Sequence, residues 1–496
     1  MLAAVDLGSN SFHLQIGRVV GDQIYLLDSL RESVQLGGGV TRDGRIDRAT
    51  QMRALEALER FGERVRRFPR SGVRAVGTNA LRVARDSEAF LLEAGAALGF
   101  PIEVVFGKEE ARLIYLGVAH SLPPSSAPRL VMDIGGGSTE FVIGRGLEPQ
   151  HMESISMGCV SWSLRFFPDG IIDKGAFKKA ELSAANEMQR MAKSYRRAGW
   201  SQAIASSGTA KSIATVLAAN GLNGSASAGA GRFISKEGLD RLRALLVRNA
   251  NVSRLNIDGL REDRKATLPG GLAILSAAMR ELEVDVFDIS DGALRQGVLY
   301  DLLGRVTHHD MREVTVREFA RRYHVDQTHC ARVAELAAGI LGQLTSVQVS
   351  DDQLLLWFAA SLHEIGITIA HAGYHKHSAY ILSQADMPGF SRDEQARLAR
   401  LVLAHRGKLS KIDGLPARSP DWNLIFSLRL AALLRLSRGD VPLPPIACRA
   451  GNGGYQITIP TDWLNAHPLT EAALQADAAE WRTLGIRVEL QAMPPA

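Results

Sequence analysis

The chain has 496 residues, 46% of them hydrophobic and 22% charged, with a formal net charge of +5. That length suffices for roughly three domains of ~150 residues, and the composition excludes a disordered, collagenous or coiled-coil chain. The charge excess is too weak a field to argue for nucleic-acid binding, and three widely spaced cysteines, Cys159, Cys330 and Cys448, exclude a disulfide framework and a cysteine zinc site and point to a reducing compartment.

The chain opens MLAAVDLGSNSF, which has no basic leader and sets Asp6 in the first apolar stretch. No run approaches the ~18 apolar residues of a membrane span. These features predict a soluble cytoplasmic protein, with peripheral contact at the inner face of the membrane left open. Residues 5–18, VDLGSNSFHLQIGR, then align without a gap with residues 132–145, MDIGGGSTEFVIGR, and are identical at six of fourteen positions. Each copy reads as strand, tight turn and strand, so a duplicated hairpin predicts two related lobes. In each copy an aspartate, Asp6 or Asp133, ends an apolar strand, and the small residues after it let backbone N–H groups converge into an anion-binding nest. Two such loops facing each other would grip a phosphate chain while the aspartates hold a hard cation such as Mg²⁺.

Between the copies, IEVVFGKEEARLIYLGVAH (102–120) predicts a strand and then a helix opening with Glu109 and Glu110. Acids in a first turn ordinarily serve the helix dipole, but a helix starting at the carboxyl end of an α/β strand also points into the ligand crevice. QAIASSGTAKSIATVL (202–217) and VFDISDGALRQGVLYDLL (286–303) each predict strand, glycine turn and helix, making Gly208, Thr209 and Gly292 candidate phosphate contacts, with helix capping an equal reading.

Together DLGSNSFHL, GTNALR (77–82), GKEEARLIYLGVAH, DIGGGSTEFVIG, SSGTAKS and SDGALRQGVLY resemble the exopolyphosphatase/guanosine-pentaphosphatase (Ppx/GppA) family. The resemblance implies an α/β fold of two ribonuclease-H-like lobes, of the actin, sugar-kinase and chaperone ATPase superfamily, at 1–125 and 126–305. A mostly helical His-Asp-like domain (306–445) and a small C-terminal α+β subdomain (446–496) are expected to follow. Carried over residue by residue, it makes Glu110 the base that activates water, Arg82 the guanidinium on the substrate phosphates, and Asp6, Asp133 and Glu140 the carboxylates for magnesium. Ser9, Asn10 and Ser11 form one phosphate loop, and Gly135, Gly136, Gly137 and Ser138 the other, with Gly208 and Thr209 beside them.

Ten of the thirteen histidines follow residue 300. His329, His363-Glu364, His371, His375, His377 and His405 resemble a His-Asp metal phosphohydrolase, but the central pair is His-Glu and no final aspartate is evident, which implies a degenerate, non-catalytic domain. The family analogy further suggests a polyphosphate passage using His377, Arg406, Lys408, Lys411 and Arg418, against the plainer reading of a solvated basic loop. GGGST, Lys211 and HKHSAYIL lean toward a processive exopolyphosphatase releasing orthophosphate from inorganic polyphosphate as a homodimer. Guanosine pentaphosphate 5'-phosphohydrolase is the alternative, and a kinase of the same superfamily, disfavoured by Glu110, is the third.

Overall fold

The structure is a computed structural model that describes residues 1–41, 43–224, 232–307, 309–345, 350–412, 414–416, 419–439, 441–451 and 453–493. The chain divides into two compact units, Met1–Met311 and Arg312–Ala496. Among the described residues, no helix is long and apolar enough to cross a membrane, and Cys159, Cys330 and Cys448 are free and buried.

The first unit holds two sheets. One comprises β1 (Leu2–Leu7), β2 (Phe12–Val20), β3 (Gln23–Glu32), β4 (Val73–Gly77) and β5 (Ile102–Val104), in the order β3-β2-β1-β4-β5. The other comprises β6 (Arg129–Ile134), β7 (Thr139–Arg145), β8 (Glu148–Ile155), β9 (Gln202–Ser206), β10 (Phe233–Ser235) and β11 (Val286–Ile289), in the order β10-β11-β9-β6-β7-β8. In both, three antiparallel strands lead into parallel ones: β1 pairs with β2 and β4 as β6 pairs with β7 and β9. The second sheet is the first with one antiparallel edge strand added, as the duplicated hairpin predicts.

Strand periodicity decides what each face touches. Ala3, Val5 and Leu7 enter a core with the helices Arg48–Val65 and Ser87–Leu98, while Leu2 and Ala4 face the other way. In β6, Leu130, Met132 and Ile134 enter the second lobe's own core and Val131 faces the other way. Those opposite faces share one core with two helices, Gly107–His120 and Leu294–Val306, contributed by Leu113, Val118, Leu294 and Val298 among others. Both sheets are thus buried on two sides, which is why β1 and β6 read as unbroken apolar runs until their aspartates.

The two central helices pack at backbone distance. An ideal Cβ on Gly297 would lie 1.7 Å from Leu113 O, and one on Gly117 would lie 2.1 Å from Ala293 O. Beside this crossing Asp301 is buried and accepts from Arg74 (2.6 Å), Arg305 (3.3 Å) and Arg112, while Arg112 also holds Glu109 through two 2.8 Å bonds.

The second unit is mainly helical, with Gln327–Leu344, Ser350–Leu362, Tyr374–Gln384, Arg392–Ala404 and Asp421–Leu434. It ends in a sheet of β12 (Ala447–Gly451), β13 (Gly454–Pro460) and β14 (Arg487–Met493), with the helices Thr461–Ala466 and Pro468–Arg482. Strands and helices share one core: Tyr455 of β13 stacks on Phe426 with centroids 4.0 Å apart, and both adjoin the buried Trp481.

The helix crossing makes a testable claim. An alanine gains up to ~1 kcal/mol over glycine in a helix interior, but at Gly297 the new methyl meets a carbonyl that cannot move away. Gly297→Ala is expected to cost about 1–3 kcal/mol in chemical denaturation. By contrast Gly339→Ala, in the helix Gln327–Leu344 with open space around it, should stabilise by ~0.5–1 kcal/mol.

Candidate active site

Strand parity builds the site. Asp6 continues the Leu2 and Ala4 face of β1, and Asp133 continues the Val131 face of β6, so both carboxylates end on the sides of the sheets that meet the central helices. In the register Asp6 lies opposite His13, and Asp133 lies opposite Glu140. The duplication therefore sets four side chains in two equivalent pairs, and the second member differs: histidine in one lobe, glutamate in the other.

Asp6, His13, Glu110 and Asp133 line one cleft of about 400 Å³, together with Ser9, Asn10 and Ser11 from one hairpin turn and Gly135, Gly136, Gly137 and Ser138 from the other. The turns touch: an ideal Cβ on Gly136 would come within 2.9 Å of Ser9 Cβ and 3.5 Å of Asn10 N, so the close approach needs glycine there. Their carbonyls are held from behind. Gln35 N and Gly37 N donate to Asn10 O and Ser9 O, and Cys159 N and Val160 N donate to Gly135 O and Gly136 O. Because a trans peptide sets C=O and N–H on opposite sides, the N–H groups of Asn10, Ser11, Gly136 and Gly137 point away from those partners, as an anion nest requires.

Glu110 sits in the first turn of Gly107–His120, which leaves β5 through Val105 and Phe106. Its Oε2 accepts from Arg82 Nη1 at 2.7 Å, and the same nitrogen donates to Val105 O at 2.9 Å. Arg82 comes from the short helix Asn79–Val83 directly after β4. Glu109 turns the other way, into the Arg112 pair. Glu140 is fully enclosed and accepts from Ser154 Oγ at 2.8 Å. Neither Glu140 nor Arg82 belongs to the cleft lining; each stands one layer behind it, and Glu140 is close enough to Asp133 and Glu110 to feel both charges. Gly208 and Thr209 line the cleft, although the Thr209 hydroxyl donates to Ile134 O at 3.1 Å. Gly292 instead packs on the Gly107–His120 helix, where an ideal Cβ would lie 2.3 Å from Gly117 O.

The carboxylates are poorly compensated. Burial pushes the Asp6 carboxyl up to about 7, against a nearby Arg295 that draws it down, and Glu110 and Asp133 add to the rise. Asp133 is raised by burial to about 6 despite a hydrogen bond from Ser206 Oγ, and Glu140 is held well above the ordinary range, again by burial first. Among the described residues Asp6 Oδ1 is a buried oxygen with no hydrogen-bond partner. One orphaned carboxylate oxygen among buried acids short of positive charge is the kind of donor a hard divalent cation takes.

The cleft also carries a set of basic side chains, three of which no sequence motif revealed. Arg31, Arg261, Arg264, Lys211 and Arg295 line the same cleft. Arg31 bonds Asp263 at 2.7 Å and Ser11 Oγ at 3.3 Å, and the Arg264 guanidinium lies over Gly208, 2.4 Å from where a Cβ would be. Burial, then Arg295, Arg31 and Arg264, hold His13 far below its usual range, so it is neutral. Arg295 and Lys211 sit inside the motifs SDGALRQGVLY and SSGTAKS, whereas Arg31, Arg261 and Arg264 come from segments without any local signature.

In the second unit His329, His363, Glu364, His371 and His405 surround a cavity of about 320 Å³. Of the residues expected along a passage, Arg406 lines that cavity, over the Tyr374 ring at 5.4 Å; His377, Lys408 and Lys411 are not in its lining, and Arg418 lies outside the described residues.

Two family models match the chain, one on either side of a break near residue 310. Residues 15–306 match the model of the Ppx/GppA phosphatase family, and residues 311–478 that of Ppx/GppA phosphatase, domain III. The chain is 34% identical to the guanosine-5'-triphosphate,3'-diphosphate pyrophosphatase of Pseudoalteromonas atlantica, over 98% of this chain and 96% of the relative. It is 32% identical to the protein of that name from Photobacterium profundum, over 98% and 97%. The crystal structure of an exopolyphosphatase from Cytophaga hutchinsonii superposes with a TM-score of 0.55 at 26% identity, covering 61% of this chain and 98% of that one.

The raised carboxyls set a pH dependence. Asp6 and Asp133 in the fold keep protons to about 7 and 6 that the unfolded chain sheds near 3.8. Native protein thus binds more protons in that window, and stability falls as pH rises through it. In chelator, stability measured by chemical denaturation should drop from pH 5 to pH 8 by on the order of a few kcal/mol, at ~1.4 per unit. Added divalent cation should restore more at pH 8 than at pH 5, and Asp6→Asn should flatten both trends.

Proposed function

Since the chain belongs to the Ppx/GppA phosphatase family, we propose that it hydrolyses the terminal phosphoanhydride of guanosine pentaphosphate, releasing orthophosphate and guanosine tetraphosphate. The observation that carries the substrate is the match over 98% of the chain, both units included, to relatives named guanosine-5'-triphosphate,3'-diphosphate pyrophosphatase. This reverses the order suggested by GGGST, Lys211 and HKHSAYIL, which leaned to the polyphosphatase branch. Exopolyphosphatase stays as the second reading because the Cytophaga hutchinsonii structure bears that name and shares 26% identity.

In this reading the 5'-terminal phosphoryl group lies between the two hairpin turns, with the N–H groups of Asn10, Ser11, Gly136 and Gly137 on its oxygens. Asp6 and Asp133, with Glu140 behind, would hold magnesium, which would supply positive charge against the phosphate chain. Glu110 takes the proton of the attacking water. Arg82 orients the Glu110 carboxylate through its 2.7 Å bond, from behind the cleft. Arg31, Arg261 and Arg264 suit a second anionic group, the 3'-diphosphate of the nucleotide or the remainder of a polyphosphate chain, so these basic side chains are compatible with either substrate.

Two measurements test this. Phosphate release from guanosine pentaphosphate and from polyphosphate, at matched concentrations without any added acceptor, should give the larger kcat/KM for the nucleotide; a larger value for polyphosphate would restore the second reading. Glu110→Gln should lose roughly 10²–10⁴-fold in kcat with KM little changed, and retention of turnover would remove Glu110 from the role of base.

A further inference from the structure

We propose that His329, His363 and Glu364 form a binding site for one borderline divalent transition-metal ion, of the zinc class, inside the second unit. One ligand atom from each of the three buried residues lies within 4.8 Å of the others. His329 Nε2 and His363 Nε2 are 3.8 and 4.0 Å from the same atom, Glu364 Oε1. Ligand atoms ~2.0–2.2 Å from a common zinc ion stand about 3.4 Å apart in a tetrahedron, so each histidine need approach Glu364 by only a few tenths of an ångström, and the two imidazoles start within 4.8 Å of one another.

The histidines are prepared for this. His363 Nδ1 is 2.7 Å from Ala360 O; a carbonyl can only accept, so Nδ1 carries the proton and Nε2 presents its lone pair toward Glu364. A metal-bound imidazole is ordinarily oriented by such a backbone carbonyl. Burial also lowers the basicity of His329 and His363, which keeps both neutral. The three residues come from two segments: His329 from the helix Gln327–Leu344, and His363-Glu364 from just past Ser350–Leu362.

Glu364 is now ion-paired with Arg438, whose side chain is 45% exposed. An exposed guanidinium returns to water at little cost, which frees the carboxylate. Two imidazoles and one carboxylate select zinc, cobalt or nickel over magnesium, which prefers an all-oxygen octahedron. All three residues line the 320 Å³ cavity, through which an ion could enter. This site is separate from the carboxylates of the first unit, and no hydrolytic role is assigned to it.

The test uses the full chain titrated with Co²⁺, whose visible ligand-field bands are intense in four- or five-coordinate nitrogen sites and weak in octahedral oxygen sites. Intense bands saturating at one equivalent are expected in the wild type and in Asp133→Asn. Glu364→Gln and His363→Ala should weaken Co²⁺ binding by more than the roughly 10-fold that loss of an outer-shell partner costs. Should His363→Ala fail to fold, Glu364→Gln decides, with Zn²⁺ raising the melting temperature of the wild type and not of the variant. Absence of intense bands in the wild type, their survival in Glu364→Gln, or their loss in Asp133→Asn would overturn the proposal.

Discussion

The first unit depends on two helices crossing with no side chain between their backbones. Gly297 against Leu113 O and Gly117 against Ala293 O bring Gly107–His120 and Leu294–Val306 together inside a core fed by both sheets. Asp301 locks the crossing. Burial by itself drives its carboxyl up, yet Arg112, Arg74 and Arg305 outweigh burial and hold it well below the ordinary carboxylate range. Breaking such a network by removing one partner leaves a buried charge uncompensated, which costs far more than the pair's net worth. Arg74 lies on β4 and Arg112 on the central helix, so this single carboxylate ties the first sheet to the helix that carries Glu110.

Duplication then supplies symmetry, and the site arises where symmetry fails. The two hairpins share register, and even their irregularities coincide: a bulge falls between Ile16 and Gly17 in one and between Ile143 and Gly144 in the other. The identity of Ile-Gly-Arg in the repeat is therefore conformational, because Gly17 and Gly144 sit where a Cβ would strike Ile24 or Glu148 O. Asp6 and Asp133 are equivalent, but His13 and Glu140 are not. One lobe consequently presents a neutral imidazole where the other presents a third buried acid.

How much of this could be read from the sequence follows from range. The hairpins, the aspartates ending them, and the strand that delivers Glu110 are local patterns, and strand parity alone turns Asp6, Asp133 and Glu140 to one side. The α/β class and the paired lobes follow from the repeat. Arg31, Arg261 and Arg264 were illegible because nothing near them in the chain marks them; they meet the phosphate turns only through tertiary packing, as the 232-residue separation of the Arg31 and Asp263 hydrogen bond illustrates. Gly292 shows the opposite failure. Its setting after a strand and before a helix suggested a phosphate contact, but a glycine in that position serves equally for close helix packing, and here Gly117 occupies the space.

The way charges pair within the cleft has a chemical consequence. Hydrolysis of a phosphoanhydride needs cations on the phosphate oxygens and, a few ångströms away, an unprotonated acid for the water. Mixed at random in a low-dielectric pocket, those groups would pair and cancel. Here the pairs that form are specific: Arg82 takes Glu110, and Arg31 takes Asp263. Arg295 stands 4.0 Å from Asp6, too far to satisfy it. The acids nearest the turns are thus left short of positive charge, and a cation entering between them offsets the cost of their desolvation.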